Sequence, residues 1–286
     1  MVLCIRDWGY SMATVTSFAE FLTAIGGSED IVLANDIDAQ AEGYDNVGQI
    51  MITRPIDGQG YKISNVTIIT ADRSALYINA SNSSIFKNII FDNLLYKANS
   101  SGSLIETSLE GYIFQNCKFG VQMNLNNFKG AVIYYNSSVK RNVYFVESAL
   151  DVTMKNHGGS GYPGTTQLWY DYTHFTRCNI AIREAYITST NANSESNPAV
   201  IKGLVSSAVV LDRCNTDRVA LEVNGTGSYV ALKDCTATAQ SVKVTGSSSM
   251  YFCNDSDITC NASGVTVLTP EQLRSESYLR SIGFLP

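Results

Sequence analysis

The chain has 286 residues, 45% of them hydrophobic and only 16% charged, with a formal net charge of −6 and a pI near 5.0. Lys and Arg are scattered, with no run longer than Lys140-Arg141, which argues against nucleic-acid binding through a basic face. No stretch approaches the roughly 20 apolar residues of a membrane span. Sixteen Tyr and eleven Phe accompany many Val and Ile, the types that suit a pleated, half-buried surface. Ser, Thr, Asn and Gly supply the turns, and the five Pro fall outside the best strand candidates. An all-β chain is the natural reading.

In chain order, residues 1–16 show no period and are read as an N-terminal arm. The opening Met1-Val-Leu-Cys-Ile-Arg-Asp is broken by Arg6 and Asp7, so it lacks the form of a signal peptide, and the chain is expected to stay in the cytoplasm that makes it unless assembled or released by lysis. Ser17 and Glu20 then stand as N-cap and N3 of a capping box, expected to satisfy two orphan amide donors reciprocally. Phe18, Phe21, Leu22 and Ile25 follow at helical spacing, and Gly26-Gly27 ends the helix.

Beyond residue 30 the pattern changes. Short alternating runs recur at Ile31-Val-Leu33, Val66 to Ile69, Ala75 to Ile78, Ile85 to Phe91 and Tyr112 to Phe119, each ending in Gly, Asn, Ser or Asp. Too few residues separate them for crossover helices. Later, Val209-Val-Leu-Asp-Arg-Cys214 and Val230-Ala-Leu-Lys-Asp-Cys235 repeat one another 21 residues apart, which fits one turn of a solenoid. Aligning Cys117 and Cys178 to the same context gives spacings of 61 and 36 residues, read as extra coils or loop insertions. Coils of about 22 residues are expected, with buried thiols packed in ladders and Asn at left-handed corners. The seven cysteines, an odd number in a leaderless chain, are expected as free buried thiols. Thr269-Pro270-Glu-Gln272 marks one C-terminal helix and residues 275–283 a second.

The fold expected is a right-handed, single-stranded parallel β-helix over residues 17–268, with a capping helix at 17–27 and a helical tail at 269–286. The cap leading into Ile31-Val-Leu-Ala-Asn-Asp-Ile-Asp38, and Asn-terminated coils such as Ile85-Phe-Lys-Asn-Ile-Ile-Phe-Asp-Asn93, resemble the pectate-lyase-like β-helix superfamily. Leaderless chains of this kind look similar to bacteriophage appendage, fibre and tailspike proteins. That resemblance implies a structural virion component, such as a head or tail appendage, fibre or decoration protein, used for attachment or host-surface contact. The partners implied are other virion proteins through residues 1–16 and 269–286, a host-surface glycan, and two further copies in a homotrimer.

The chemistry-bearing residues are few. Glycoside hydrolysis needs two carboxylates about 5 to 10 Å apart, and Asp212 with Asp234, each beside an aligned cysteine, is the candidate pair for the rival reading, a carbohydrate-active enzyme working in a groove along the helix. Otherwise both are solvated coil residues. His157 and His174 are the only histidines, which leaves a multi-histidine zinc site or a Ser-His-Asp triad without material. His157 lies in a Gly-rich loop to Gly164 that lacks the Gly-Lys-Ser/Thr of a phosphate loop. Trp169, Tyr170 and Tyr172 with His174 form the densest aromatic patch, expected either to bind a glycan or partner or to fill an irregular coil. Asp36, Asp38 and Asp45 lack the Gly-bearing frame of a calcium loop. No metal site and no cofactor are expected.

Overall fold

The computed structural model describes residues 11–71, 73–81, 84–99, 102–108, 111–125, 130–135, 142–155, 168, 173–188, 199–217, 221–237, 241–246, 250–254, 259–260 and 265–282. These form a parallel β-solenoid. Two long sheets dominate, eleven strands each, joined by a four-stranded and a three-stranded sheet, and the paired strands run parallel throughout. None of the described helices is long and apolar enough to cross a membrane.

Alternation of side chains builds the core, because successive residues of a strand point to opposite faces. In the first long sheet, inward positions stack Phe86, Phe114, Phe145 and Phe175, with ring centroids 5.1, 4.7 and 5.1 Å apart and near-parallel planes. Leu204 extends this column. In the second long sheet, Ile37, Ile63, Phe91, Phe119, Leu150, Ile180, Val209 and Val230 share one inward row. Each such ring or branched chain, removed from water, contributes roughly 1.5–3 kcal/mol.

The coil length departs from the expected 22 residues. The phenylalanine column advances by 28 to 31 residues per circuit, and steps of 21 or 22 hold only from residue 199 onward. The longer circuits carry six-residue strands in the four-stranded sheet, Gly102–Thr107 and Gly130–Tyr135. The shorter ones carry only Asn215–Asp217 and Thr236–Ala237 in the three-stranded sheet.

Sharp corners separate the strands, and they need left-handed backbone. Asn65, Asn88, Asn93 and Asn116 have φ between 51° and 55°, a conformation Asn tolerates better than other side chains. Their amides also link coil to coil. Asn116 donates to Asn88 at 2.9 Å and Asn88 to Asp57 at 3.1 Å, while Asn93 donates to Asn65 at 2.6 Å and Asn65 to Asp38 at 2.8 Å. Further along, charged residues occupy the same left-handed corners, and ion pairs replace the amides: Arg177 meets Glu147 at 2.6 Å, and Arg213 meets Glu184 at 3.1 Å.

The cysteines stand at two different corners, which corrects the single alignment expected. Cys117, Ser148, Cys178, Ser207 and Ser228 occupy the corner between the long sheets, where Cys117 N donates to Ser148 Oγ at 3.0 Å and Cys178 N to Ser207 Oγ at 3.1 Å. Serine stands in cysteine's place at Ser148, so the 61-residue gap between Cys117 and Cys178 is two circuits. Cys214 and Cys235 occupy the next corner, after the second long sheet. Cys117, Cys178, Cys214, Cys235 and Cys253 carry free thiols, all buried. Burial pushes Cys117 up to about 12 and Cys178 up to about 11, which makes both inert.

A helix closes the N-terminal end, and two more follow the last strand. α1 (Phe18–Ala24) places Phe18, Phe21 and, just beyond it, Ile25 in the core. Its capping differs from the expected box: Ser17 Oγ accepts from Glu20 N at 3.2 Å, but Glu20 reaches back to Thr16 N at 2.7 Å rather than to Ser17. Met12–Val15 is a strand paired with Asp30–Leu33, so these residues belong to the sheet and not to an arm. At the other end α2 (Pro270–Arg274) carries a complete Thr269/Gln272 capping box, and α3 (Glu276–Ser281) follows from N-cap Ser275. Leu279 packs in an apolar cluster with Tyr229, Ala231, Cys253 and Leu268. In the strands these residues alternate with the core residues Val230 and Leu232, so the tail covers the outer face of the second long sheet.

Candidate functional site

The outer face of the first long sheet concentrates what is exposed and apolar. Met12, Ile85, Tyr144 and Val205 all project from it, at 57, 45, 38 and 46% exposure. Register places Ile85, Ile113, Tyr144 and His174 in one row. The adjoining row carries Asp57, Lys87, Gln115, Val146, Thr176 and Val205.

His174 is placed by this face. It stands outward on the strand Thr173–Thr176, its ring stacked on Tyr144 at 4.9 Å and 17°, with Nε2 3.0 Å from Asn142 Oδ1. Burial lowers its pKa, so the neutral ring is favoured. Beyond His174 the row meets Gly203, at φ 76° in a bulge between Ile201 and Leu204. A Cβ there would collide with the Thr173 carbonyl, so no side chain continues the row on that side. Trp169, Tyr170 and Tyr172, the other members of the aromatic patch read from the sequence, lie outside the described residues, as do His157 and its Gly-rich loop.

Near the N-terminal end of the same face a shallow depression opens between Met12, Asp30, Pro55, Asp57, Ile85 and Lys87. Burial tends to raise the Asp57 carboxyl, but Lys87 at 2.9 Å, Gln59 N–H at 3.0 Å and Asn88 at 3.1 Å hold it below the ordinary value. Asp57 is therefore a committed carboxylate that anchors the amide ladder. Asp38 anchors the other, lowered by the Ala41 N–H and Asn65.

Asp212 and Asp234 do not form the pair expected from the cysteine alignment. Register sets Asp212 opposite Lys233 and Arg183, while Asp234 sits at the left-handed corner equivalent to Arg213. The two carboxylates are one position out of step, because Asp212 precedes its cysteine by two residues and Asp234 by one. Asp212 is flanked by two guanidinium groups, with Arg213 Nε at 3.4 Å and Arg183 Nε at 3.8 Å, and Arg183 also pairs with Asp151. These ions form one chain running along the solenoid. No group of three or more His, Cys, Asp or Glu among the described residues is placed to hold a metal.

No family model matches the chain, and comparison with curated proteins and with solved structures returns no match. The functional reading therefore stands on the geometry and the sequence pattern.

Proposed function

We propose that the protein is a structural component of a bacteriophage particle, an appendage, fibre or decoration protein whose stiff solenoid acts as a spacer. Its apolar outer face, including Tyr144 and His174, meets a neighbouring virion protein or the host surface. The observation that carries this reading is the use of polar side chains to tie coil to coil. Asn116, Asn88 and Asp57 form one axial ladder, Asn93, Asn65 and Asp38 a second, and Asp151, Arg183, Asp212, Arg213 and Glu184 an ionic third. Such chains brace a rod along its axis. The resemblance to pectate-lyase-like β-helices of the phage tailspike and fibre kind supplies the virion context; contacts with other virion proteins through residues 1–16 and 269–286 belong to the same proposal, and so does a homotrimer.

The test is compositional and enzymatic together. Mass spectrometry of purified particles of the encoding virus is expected to find the chain at a fixed, stoichiometric copy number, and the purified protein to leave host capsular polysaccharide intact. Cleavage of that polysaccharide, abolished by Asp212→Asn or Asp234→Asn, would overturn the proposal in favour of a depolymerase, lyase or glycoside hydrolase.

A further inference from the structure

Cys214 and Cys235 occupy equivalent places on successive coils. The residues that follow them, Asn215 and Thr236, are register partners, and Thr236 N donates to Cys214 O at 2.9 Å. Both thiols are buried, at 1 and 4% exposure, and each donates to a carbonyl of the coil before it: Cys214 to Ile182 O at 3.4 Å and Cys235 to Leu211 O at 3.3 Å. Adjacent strands lie about 4.8 Å apart, inside the roughly 4.4–6.8 Å between Cα atoms that a disulfide bridges. Among Cys117, Cys178, Cys214, Cys235 and Cys253 this juxtaposition is particular to one pair. The coil of Ser148 separates Cys117 from Cys178, and Cys253 faces the C-terminal helices.

We propose that Cys214 and Cys235 are an oxidative modification site, joined by a two-electron thiol oxidant into a disulfide that staples two successive coils. Cys235, at 4% exposure against 1% for Cys214, is the thiol an oxidant reaches first, and it reacts as the thiolate. With hydrogen peroxide, the Cys235 thiolate takes one oxygen to become a sulfenic acid, and the second oxygen leaves as hydroxide that collects the proton Cys235 lost. The Cys214 sulfur then attacks the sulfenic sulfur, the S–O bond breaks, and the departing hydroxide takes the Cys214 proton. Two thiols lose two electrons, one S–S bond forms, and peroxide is reduced to two waters.

The native full-length chain is treated with hydrogen peroxide, or with diamide as a second oxidant, then alkylated and digested with trypsin. Cleavage after Arg213, Arg218, Lys233 and Lys243 places the two cysteines on separate peptides, 214–218 and 234–243. A linked pair of these peptides, lighter by two hydrogens and split by dithiothreitol, is expected as the dominant oxidised species. The oxidised protein is expected to melt at a higher temperature than the reduced one, and dithiothreitol should reverse the difference. The linked peptide should vanish in Cys214→Ser. If that variant does not fold, the wild-type digest still decides. Sulfinic or sulfonic acids without the link, links from Cys214 or Cys235 to other cysteines, or thiols that stay unreacted would each overturn the proposal.

Discussion

Phe145 and Tyr144 are neighbours on one strand, both aromatic, and point to opposite faces. Replacing each by Ala therefore separates what the solenoid interior contributes from what the strand itself prefers. Phe145 is fully buried, stacked between Phe114 at 4.7 Å and Phe175 at 5.1 Å, with Phe119 edge-on at 6.4 Å. Large-to-small changes of this kind cost about 3–5 kcal/mol. The upper end is expected here, because the coils above and below are held at their spacing by backbone hydrogen bonds and cannot close on the cavity. Tyr144 is 38% exposed and keeps one stacked neighbour, His174, so its loss is limited to a cross-strand pair worth roughly 0.2–1 kcal/mol. Urea unfolding followed by far-UV circular dichroism and by intrinsic fluorescence measures both, and agreement of the two probes checks that a single transition is being read. A difference between the variants below about 2 kcal/mol would refute the inward column as the source of stability, and a larger loss for Tyr144→Ala would refute the assignment of faces.

Three further outcomes follow from the corners, the buried histidine and the tail. Asn88→Gly removes the amide that joins Asn116 to Asp57 but keeps the left-handed backbone, whereas Asn88→Ala loses both. Denaturant titrations are expected to rank Ala below Gly, with the Ala variant about 1–2 kcal/mol less stable than the Gly variant, and the reverse order would discard the corner argument. Because folding lowers the His174 pKa from 6.5, the unfolded chain binds the proton more readily, so stability is expected to fall as pH drops through 6.5. A second loss is expected below the ordinary carboxylate value of 3.8, as Asp57 and Asp38 are protonated. Thermal melts across pH should show the upper step disappear in His174→Gln while the lower step remains. Leu279→Asp puts a charge into the cluster of Tyr229, Ala231 and Cys253. It is expected to release α2 and α3 and to raise binding of an apolar dye, with the strand signal unchanged, and an unaltered dye response would show that the tail does not cover that face.

Much of the architecture was legible because its determinants are local. Alternating Phe, Ile and Val mark inward faces at period two, Asn65, Asn88 and Asn116 mark left-handed corners, and Ser17 and Thr269 mark helix starts. Each of these is a property of a few consecutive residues. Glu147, Arg177, Glu184 and Arg213 adopt the same corner geometry without an intrinsic preference for it, and each meets an opposite charge one coil away.

Register, by contrast, was decided by the folded solenoid. Cysteines spaced 21, 36 and 61 residues apart read as one repeat until the strands are paired, and then they fall at two corners, with serine at the other places of the first. One position of slip sets Asp212 beside Arg183 and Arg213 and opposite Lys233, not level with Asp234. Register likewise sets Tyr144 on His174, whereas the stacking of Cys214 with Cys235 is the one the 21-residue repeat already implied. The sequence by itself determined that this chain winds as parallel strands with a core of stacked apolar side chains, since alternation and turn chemistry act within a coil. Which side chains meet between coils depended on the residues spent in each circuit, 28 to 31 along the phenylalanine column against 21 or 22 beyond residue 199, because parallel pairing sets each residue beside the one a full circuit away.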